Sequence, residues 1–335
     1  MELSTISFND FVKLANVIFV KALLSVESRA RASGLFNVMP IPQNTGNIRE
    51  FSEIDGEEYA KFKGEGDQAE RSKVQQGYTK YLTPYRVAHD IGISYEMRTQ
   101  NKYPEVVRRL TNLAYQAVNR LDLDLTHRLT FGTSVTYTDM DSRVVDISVG
   151  DGYQLFYSAH TVKGSSKTYR NRLAGNPRLS RGAIEGLERL VVEETINQFG
   201  QKVTIPFDIL WTTDDPNTVN TATEYLKSTA NVDSANPGVV NVYNNKYRLV
   251  VLPRLATDAN GDVDSTKRYY YGLASSSYST AHLGIWEEPR LKSPVEGNNG
   301  EDFATDDWNF GVRAGYGITI VNGSWIKFSS GDGTA

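Results

Sequence analysis

Apolar side chains recur at helical spacing in two stretches of the chain, and both stretches predict amphipathic helices. The second begins at Pro104, whose missing N–H costs nothing in a first helical turn. At about 1.5 Å per residue this helix is on the order of 40 Å long, so we expect it to cross the whole molecule. The apolar positions are Phe8, Phe11, Val12, Ala15, Ile18, Phe19, Ala22 and Leu23 in the first stretch, and Val106, Val107, Leu110, Leu113, Ala114, Ala117, Val118, Leu121, Leu125 and Leu129 in the second.

Between the two helices the pattern changes to alternation. After an extended linker at Gly34 to Asn47, residues 48–95 alternate aromatic or apolar side chains with polar ones. Their middle, Gly56 to Gly77, is crowded with charge and contains almost nothing able to form a core. Two strand-like arms around a charged tip predict a long hairpin that projects from the body. Because an isolated hairpin is marginal in water, we expect a neighbouring subunit to support it; the alternative is a loose surface loop.

Downstream of the long helix, shorter helices and a series of strands are predicted. Ser180 and Asp215 are placed as N-caps of two helices, the second starting at Pro216. Helix runs and strand runs are segregated along the chain, which favours an α+β fold over an α/β fold, with the last third mostly antiparallel sheet. The predicted strands are Val203–Thr212, Tyr247–Leu252, Arg268–Ala274, His282–Trp286 and Asp307–Val321.

Composition narrows the function classes. The chain has 335 residues and a net charge of −4, which makes a dedicated nucleic-acid binder a poor prediction because phosphates need a basic excess. It has no cysteine, which excludes disulfides, thiolate catalysis and thiolate metal sites. The apolar run Leu14 to Leu24 is interrupted by Lys21 and is too short to cross a membrane. We therefore predict no membrane partner.

The histidines and glycines offer little chemistry. His89, His127, His160 and His282 are scattered, and none forms an H-x-x-x-H or H-E-x-x-H pattern for zinc. His160, near Leu155 and Phe156, is the candidate for a catalytic base, with a structural role as the favoured alternative. A glycine-rich phosphate loop and an esterase nucleophile elbow are both missing. We predict no metal and no cofactor.

Carboxylate pairs are the remaining route to an enzyme. The adjacent pairs are Asp214-Asp215, Glu287-Glu288 and Asp306-Asp307. Adjacent residues on a strand point to opposite faces, so a neighbouring pair is not by itself an acid–base pair. We interpret these pairs as solvated turn residues and predict that the protein is not an enzyme. A carboxylate-dependent hydrolase such as a glycosidase is the alternative from another class.

Three phrases of the sequence resemble a known family. Residues 150–160, from Gly150-Asp151-Gly152 through Leu155-Phe156 to His160, are similar to the "DG-x-x-LF-x-x-x-H" phrase of Mu-like phage head proteins. Asn171-Arg172-Leu173 with Leu179-Ser180 matches its continuation, and residues 247–255 match a strand phrase of the same proteins. With the order of helix, hairpin and long helix, the chain resembles the major capsid proteins of tailed bacteriophages.

The resemblance implies the α+β, HK97-like major capsid protein fold. Its parts would be an N-terminal helix and arm at 1–47, an extended E-loop hairpin at 48–95, and a peripheral domain with the spine helix at 96–132. The axial domain would lie mainly at 133–250, and residues 251–335 would return as antiparallel strands to both domains. The interface residues expected between subunits are Phe11, Ile18, Phe62, Lys63, Glu65, Arg71 and Tyr78.

The same resemblance implies a structural protein of the virion. The chain would self-assemble as pentamers and hexamers into an icosahedral head shell, built in the host cytoplasm around packaged double-stranded DNA. The implied partners are further copies of the chain, a portal protein and, where present, a decoration protein. Because little chain precedes the first helix, a separate scaffolding protein is expected. An encapsulin-type compartment shell is the alternative within the same fold.

Overall fold

The computed structural model describes residues 8–25, 29–42, 48–54, 59–69, 71, 76–100, 103–230, 240–293 and 307–333. Within these ranges the α-helices are α1 Phe8–Ser25, α2 Arg29–Ala32, α3 Tyr95–Thr99, α4 Tyr103–Thr130, α5 Arg181–Glu193 and α6 Pro216–Lys227. The strands are β1 Asn37–Pro40, β2 Arg49–Ile54, β3 Gln76–Leu82, β4 Tyr85–Ile93, β5 Thr136–Thr138, β6 Val144–Asp146, β7 His160–Thr161, β8 Thr168–Tyr169, β9 Ile209–Thr212, β10 Arg248–Val251, β11 Tyr271–Ala274, β12 Ala281–Lys292, β13 Trp308–Ile320 and β14 Ile326–Ser329.

The long helix α4 organises the first half of the fold. Its N-terminal half is amphipathic: Leu110 and Leu113 are buried, whereas Arg108 and Asn112 face solvent. Helix α1 packs against this half, and the Phe11 ring lies 4.7 Å from that of Trp308 on β13. All ten residues from 121 to 130 are buried, so the C-terminal half of α4 is enclosed on every side.

Strands distant in sequence form a four-stranded sheet beside α4. Its order is β1-β12-β13-β4, with β12, β13 and β4 antiparallel and β1 parallel to β12. Asp124 of α4 joins this sheet to the helix, because it accepts hydrogen bonds from the hydroxyls of Tyr85 at 3.1 Å and Tyr316 at 2.7 Å. Arg120 balances the buried charge, with its Nε 3.1 Å from Asp124 Oδ1.

A second four-stranded sheet has the order β10-β9-β11-β14. Alternation along β9 divides its residues between two cores. Leu210 packs with α5 and α6, while Ile209 and Trp211 face the core that the sheet shares with the C-terminal half of α4. Rings stack in that shared core, where Phe156 lies 4.1 Å from Phe328. The two sheets therefore share one hydrophobic core.

The structure confirms most of the predicted elements. Helices α1, α4, α5 and α6 form where the periodicity placed them. Ser180 and Asp215 cap α5 and α6, accepting hydrogen bonds from the backbone N–H groups of Ala183 and Thr218 at 3.2 Å. The strand predicted at Asp307–Val321 is β13, whose glycines are required by packing: a Cβ on Gly317 would lie 2.7 Å from Leu82.

Two expectations about strands were wrong. The linker predicted at Gly34 to Asn47 contains strand β1, which hydrogen-bonds in parallel to β12. The strand predicted at Val203–Thr212 is restricted to β9, because residues 203–208 are half-buried or exposed and join no sheet. The prediction that the last third is mostly antiparallel sheet is confirmed by the pairings of β11, β12, β13 and β14, with β10 parallel to β9 as the exception. Local alternation detects a strand but carries no information on its partner or direction.

Candidate assembly surfaces

Strands β2 and β3 form the predicted hairpin, and they lie on the body of their own chain. The Tyr78 hydroxyl is 2.9 Å from Thr161 Oγ1, and Lys80 Nζ is 2.8 Å from Asp146 Oδ2. The Phe51 ring stacks on His282 at 4.2 Å. We call these two strands and their contacts the hairpin seat. The expectation that the whole hairpin projects was therefore wrong for its arms, because the body supplies partners for their polar side chains.

The segment between the arms behaves differently. Residues 59–69 and 71, which we call the hairpin tip, are all exposed, and Phe62 has no measurable burial. A turn at its apex joins Gly64 to Asp67 by a backbone hydrogen bond of 3.2 Å, with Gly66 at φ +85°. Tyr59 donates a hydrogen bond of 3.2 Å to the carbonyl of Lys202. The tip thus presents an aromatic ring and an acidic apex to solvent.

The structure places the seven predicted interface residues in three settings. Phe62, Lys63, Glu65 and Arg71 lie in the exposed tip; Tyr78 is half-buried in the seat; Phe11 and Ile18 lie on α1. Their roles between subunits stay predictions.

On helix α1, the side chains that face solvent are not Phe11 and Ile18, the two predicted as interface residues. Phe11 is only 2% exposed, because Trp308 and Phe310 surround its ring, and Ile18 is half-buried against the same core. In this conformation Phe11 stabilises its own subunit. Among the side chains of α1 that the structure describes, the large apolar ones that are exposed are Val17, Val20 and Leu24.

The phrase around His160 builds an internal clamp. His160 is fully buried, with Nδ1 2.8 Å from Asp151 Oδ2 and Nε2 3.1 Å from the carbonyl of Leu155. Asn171 donates through Nδ2 to the carbonyls of Leu155 at 2.6 Å and Gly323 at 3.0 Å. These bonds tie residues 151–171 to the segment that leads into β14. A buried ring with both nitrogens engaged cannot reach a substrate, so His160 is a structural residue.

The carboxylate pairs are also engaged elsewhere. Glu287, 8% exposed, accepts hydrogen bonds from Arg313 at 2.8 and 3.0 Å, whereas Glu288 pairs with Arg31 at 2.9 Å. Neighbouring carboxylates with different arginine partners do not form the facing pair that glycoside hydrolysis requires. Asp215 caps α6, and Asp306 lies outside the described residues.

The basic side chains in residues 163–170 have partners within their own chain. Lys163 donates to the carbonyl of Gly77 at 3.1 Å and Lys167 to that of Gly200 at 2.8 Å. Arg170 pairs with Glu194 at 3.0 Å. These contacts hold the loop against the hairpin seat and the neighbouring turn. Among the residues that the structure describes, no cluster could hold a metal ion and no helix is suited to cross a membrane.

Sequence reasoning missed a buried cation. Lys327 on β14 is fully buried, and its Nζ has no hydrogen-bond partner among the described residues. Burial lowers the pKa of its amine to about 7, against a smaller opposing effect from Glu194. The position of this lysine between Ile326 and Phe328 was the sequence feature from which its burial could have been predicted. Burial likewise lowers the pKa of His127 to about 4, with its Nε2 3.1 Å from Thr257.

Comparison with solved structures gives the fold. A chain in the structure of Mycobacterium phage Adephagia aligns with a TM-score of 0.51 at 12% identity, covering 92% of this chain and 92% of that one. For Gordonia phage Cozz the TM-score is 0.50 at 12% identity, with 90% and 85% covered. A virus-like particle from Pyrococcus furiosus aligns at a TM-score of 0.45 and 12% identity, over 95% of this chain and 98% of that one.

Sequence comparison gives the family. No curated protein matches the chain. The family model described as phage capsid protein matches residues 77–327, from the second arm of the hairpin to the last strand. That range contains helix α4, the clamp around His160, and both four-stranded sheets except β1 and the end of β14. The chain therefore belongs to the phage capsid protein family, and it is a structural shell protein with the HK97-like fold of tailed-phage major capsid proteins.

Proposed function

We propose that this chain assembles as pentamers and hexamers into an icosahedral head shell around phage DNA, with the hairpin tip of each copy lying on the next. The observation that carries the proposal is the contrast within one hairpin. The side chains of the seat contact the body, whereas the described residues of the tip, Phe62 among them, are all exposed. Exposed aromatic surface beside charge is typical of a protein interface.

The domain division follows from the same proposal. The plate of α4 with the β1-β12-β13-β4 sheet is the peripheral domain, and the second sheet with α5 and α6 is the axial domain, whose loops meet at the capsomer centre. Strands β11 and β14 support this division, because both lie beyond residue 250 and yet complete the second sheet. Many repeated contacts around a closed shell stabilise it through multivalency, without a single tight interface.

The proposed partners follow from the shell. They are other copies of the chain, a scaffolding protein and a portal protein during assembly in the host cytoplasm, and in some shells a decoration protein. Packaged double-stranded DNA would meet the inner face without sequence specificity, which suits a chain of net charge −4. The role requires no catalysis, since association of subunits is the whole function.

A tip variant tests the proposal. Phe62, Lys63 and Glu65 are replaced by serine, and assembly with a scaffolding protein is followed by electron microscopy and light scattering. We expect closed shells from the wild type and isolated subunits from the variant, with unchanged thermal unfolding because the tip is exposed. Val263→Ser is the control, since Val263 is 89% exposed on another loop. Shells from the tip variant would contradict the role of the tip, and a wild type that stays monomeric would contradict the shell.

A further inference from the structure

A small polar cavity lies between the hairpin seat and the body of the chain. Glu53 of β2 and Tyr78 of β3 line it on the hairpin side. The body contributes side chains from residues 149–162, from the turn after α5 at residues 195–205, and from residues 321–324 just after β13. The cavity has a volume of about 30 Å³. Because a buried water molecule needs roughly 10–15 Å³, this space can take one or two of them.

Two side chains in the wall of this cavity carry buried polar atoms that need a partner. Thr195 is 1% exposed and Gln198 is 2% exposed. The Thr195 hydroxyl and the Gln198 amide oxygen nevertheless have no hydrogen-bond partner among the described residues. A buried hydroxyl or amide that makes no hydrogen bond destabilises the folded chain. Two such atoms in the wall of one cavity indicate a bound molecule that forms hydrogen bonds to both.

The orientation of the Gln198 amide defines what the bound molecule must offer. Its Nε2 donates a hydrogen bond of 3.4 Å to the carbonyl of Glu53 on β2, which directs Oε1 away from that carbonyl. An amide oxygen only accepts hydrogen bonds, so the bound molecule must donate to Oε1. The Thr195 hydroxyl can donate as well as accept. Water both donates and accepts, and it fits the volume of the cavity.

A metal ion matches this cavity less well than water does. Two carboxylates line it, and one of them, Asp151, already lies 2.8 Å from His160 Nδ1. Calcium takes about six to eight oxygen ligands, most often with several carboxylates among them. Within the described ranges of the chain, no group of three His, Cys, Asp or Glu side chains could hold a metal ion. An organic ligand is excluded by size, because ligand pockets typically enclose roughly 300 Å³ or more.

We propose that this cavity binds one or two water molecules, which accept a hydrogen bond from the Thr195 hydroxyl and donate one to the Gln198 amide oxygen. The carboxylates of Glu53 and Asp151 supply further acceptors in the wall, as a buried water needs about three hydrogen bonds. The water fixes the Gln198 amide in the orientation in which Nε2 bonds to β2. The contact between the hairpin seat and the body is therefore partly mediated by water.

Thr195→Val tests the proposal through the sign of its effect. Valine has nearly the shape of threonine but lacks the hydroxyl. When water bonds to Thr195, the substitution removes a hydrogen bond, so the folding equilibrium constant of unassembled subunits should fall roughly two- to ten-fold in urea denaturation. In a dry cavity the same substitution would remove an unsatisfied hydroxyl, and the folding equilibrium constant would rise.

Thr212→Val is the matched control. Thr212 on β9 is fully buried, its hydroxyl has no hydrogen-bond partner among the described residues either, and it is not a wall residue of the cavity. We expect the folding equilibrium constant of this variant to stay the same or to rise. A rise in Thr195→Val, or a change equal to that in Thr212→Val, would overturn the proposal.

A density map of the wild-type chain provides a second readout that does not depend on the folding of any variant. At a resolution of about 2 Å we expect one peak, or two peaks bonded to each other, at roughly 2.7–3.2 Å from Thr195 Oγ1 and Gln198 Oε1. A peak at about 2.3–2.6 Å from several oxygen atoms that disappears with a chelator would identify a divalent cation. That result, or a cavity without density, would overturn the proposal and leave the shell function standing.

Discussion

Phe62 and Phe156 lie in two regions of this chain that differ in what surrounds an aromatic side chain. Phe156 is fully buried, stacked 4.1 Å from Phe328 in the core shared by the two sheets, and its position is dictated by neighbours in the same chain. Phe62 sits in the hairpin tip and contacts solvent on all sides. A buried aromatic side chain stabilises the fold through its own chain, whereas an exposed one beside charge is positioned for a partner. The comparison predicts that substitutions separate into those that change stability and those that change assembly.

The largest expected effect on stability comes from Phe156→Ala. The substitution removes a ring from the stack with Trp211 and Phe328, and the rigid sheet on either side cannot collapse into the space. We expect a loss of about 3–5 kcal/mol in the free energy of unfolding, measured by urea denaturation of unassembled subunits. A loss below about 1 kcal/mol would show that this core tolerates cavities, and the contrast with the tip would weaken.

Lys327→Met should increase stability, which makes it the inverse test within the same core. The buried amine has no hydrogen-bond partner among the described residues and lies only 5.8 Å from the centre of the Tyr169 ring, and methionine keeps the length of the side chain without the charge. At neutral pH we expect a gain on the order of 3 kcal/mol in the free energy of unfolding, because burial of the amine destabilises its protonated form.

The pH dependence identifies the amine as the cause. The folded pKa of Lys327 is lowered to about 7, so between pH 7 and about 10.4 the unfolded chain binds one more proton than the folded chain. The free energy of unfolding of the wild type should therefore rise with pH across this window. Just below pH 7 the amine is protonated in both the folded and the unfolded chain, so Lys327 should contribute no pH dependence there. Lys327→Met should lack this rise. A wild type and variant with parallel pH profiles would indicate that Nζ finds a partner.

The sequence predicted where helices and strands lie better than it predicted which strands pair with each other. Periodicity located α1, α4, α5 and α6, because an amphipathic helix needs only residues three and four positions apart. Strand β1 was missed because four residues leave too short an alternation, and its parallel pairing with β12 joins residues 37 and 282. Such distant contacts leave no local trace in a single sequence.

For the candidate site, the sequence located the hairpin tip but not the hairpin seat. A stretch of charge with few apolar residues excludes a core of its own, and Phe62, Lys63, Glu65 and Arg71 are all exposed. The seat depends on contacts between residues far apart in the sequence, such as Tyr78 with Thr161 and Lys80 with Asp146. The phrase with Asp151 and His160 was visible in the sequence, but its role as a clamp required the position of Gly323.

Phe62→Ser should have the smallest effect on stability and one of the clearest effects on assembly. Because the ring is fully exposed in the subunit, its removal should change the free energy of unfolding by less than about 0.5 kcal/mol. The same substitution removes the exposed aromatic ring that the proposed function places against the next copy, so shells should form only at much higher protein concentration. Urea denaturation and light scattering on one preparation measure both quantities. A clear loss in the free energy of unfolding would show that the Phe62 ring packs against its own chain. The tip would then stabilise the subunit, as the core does.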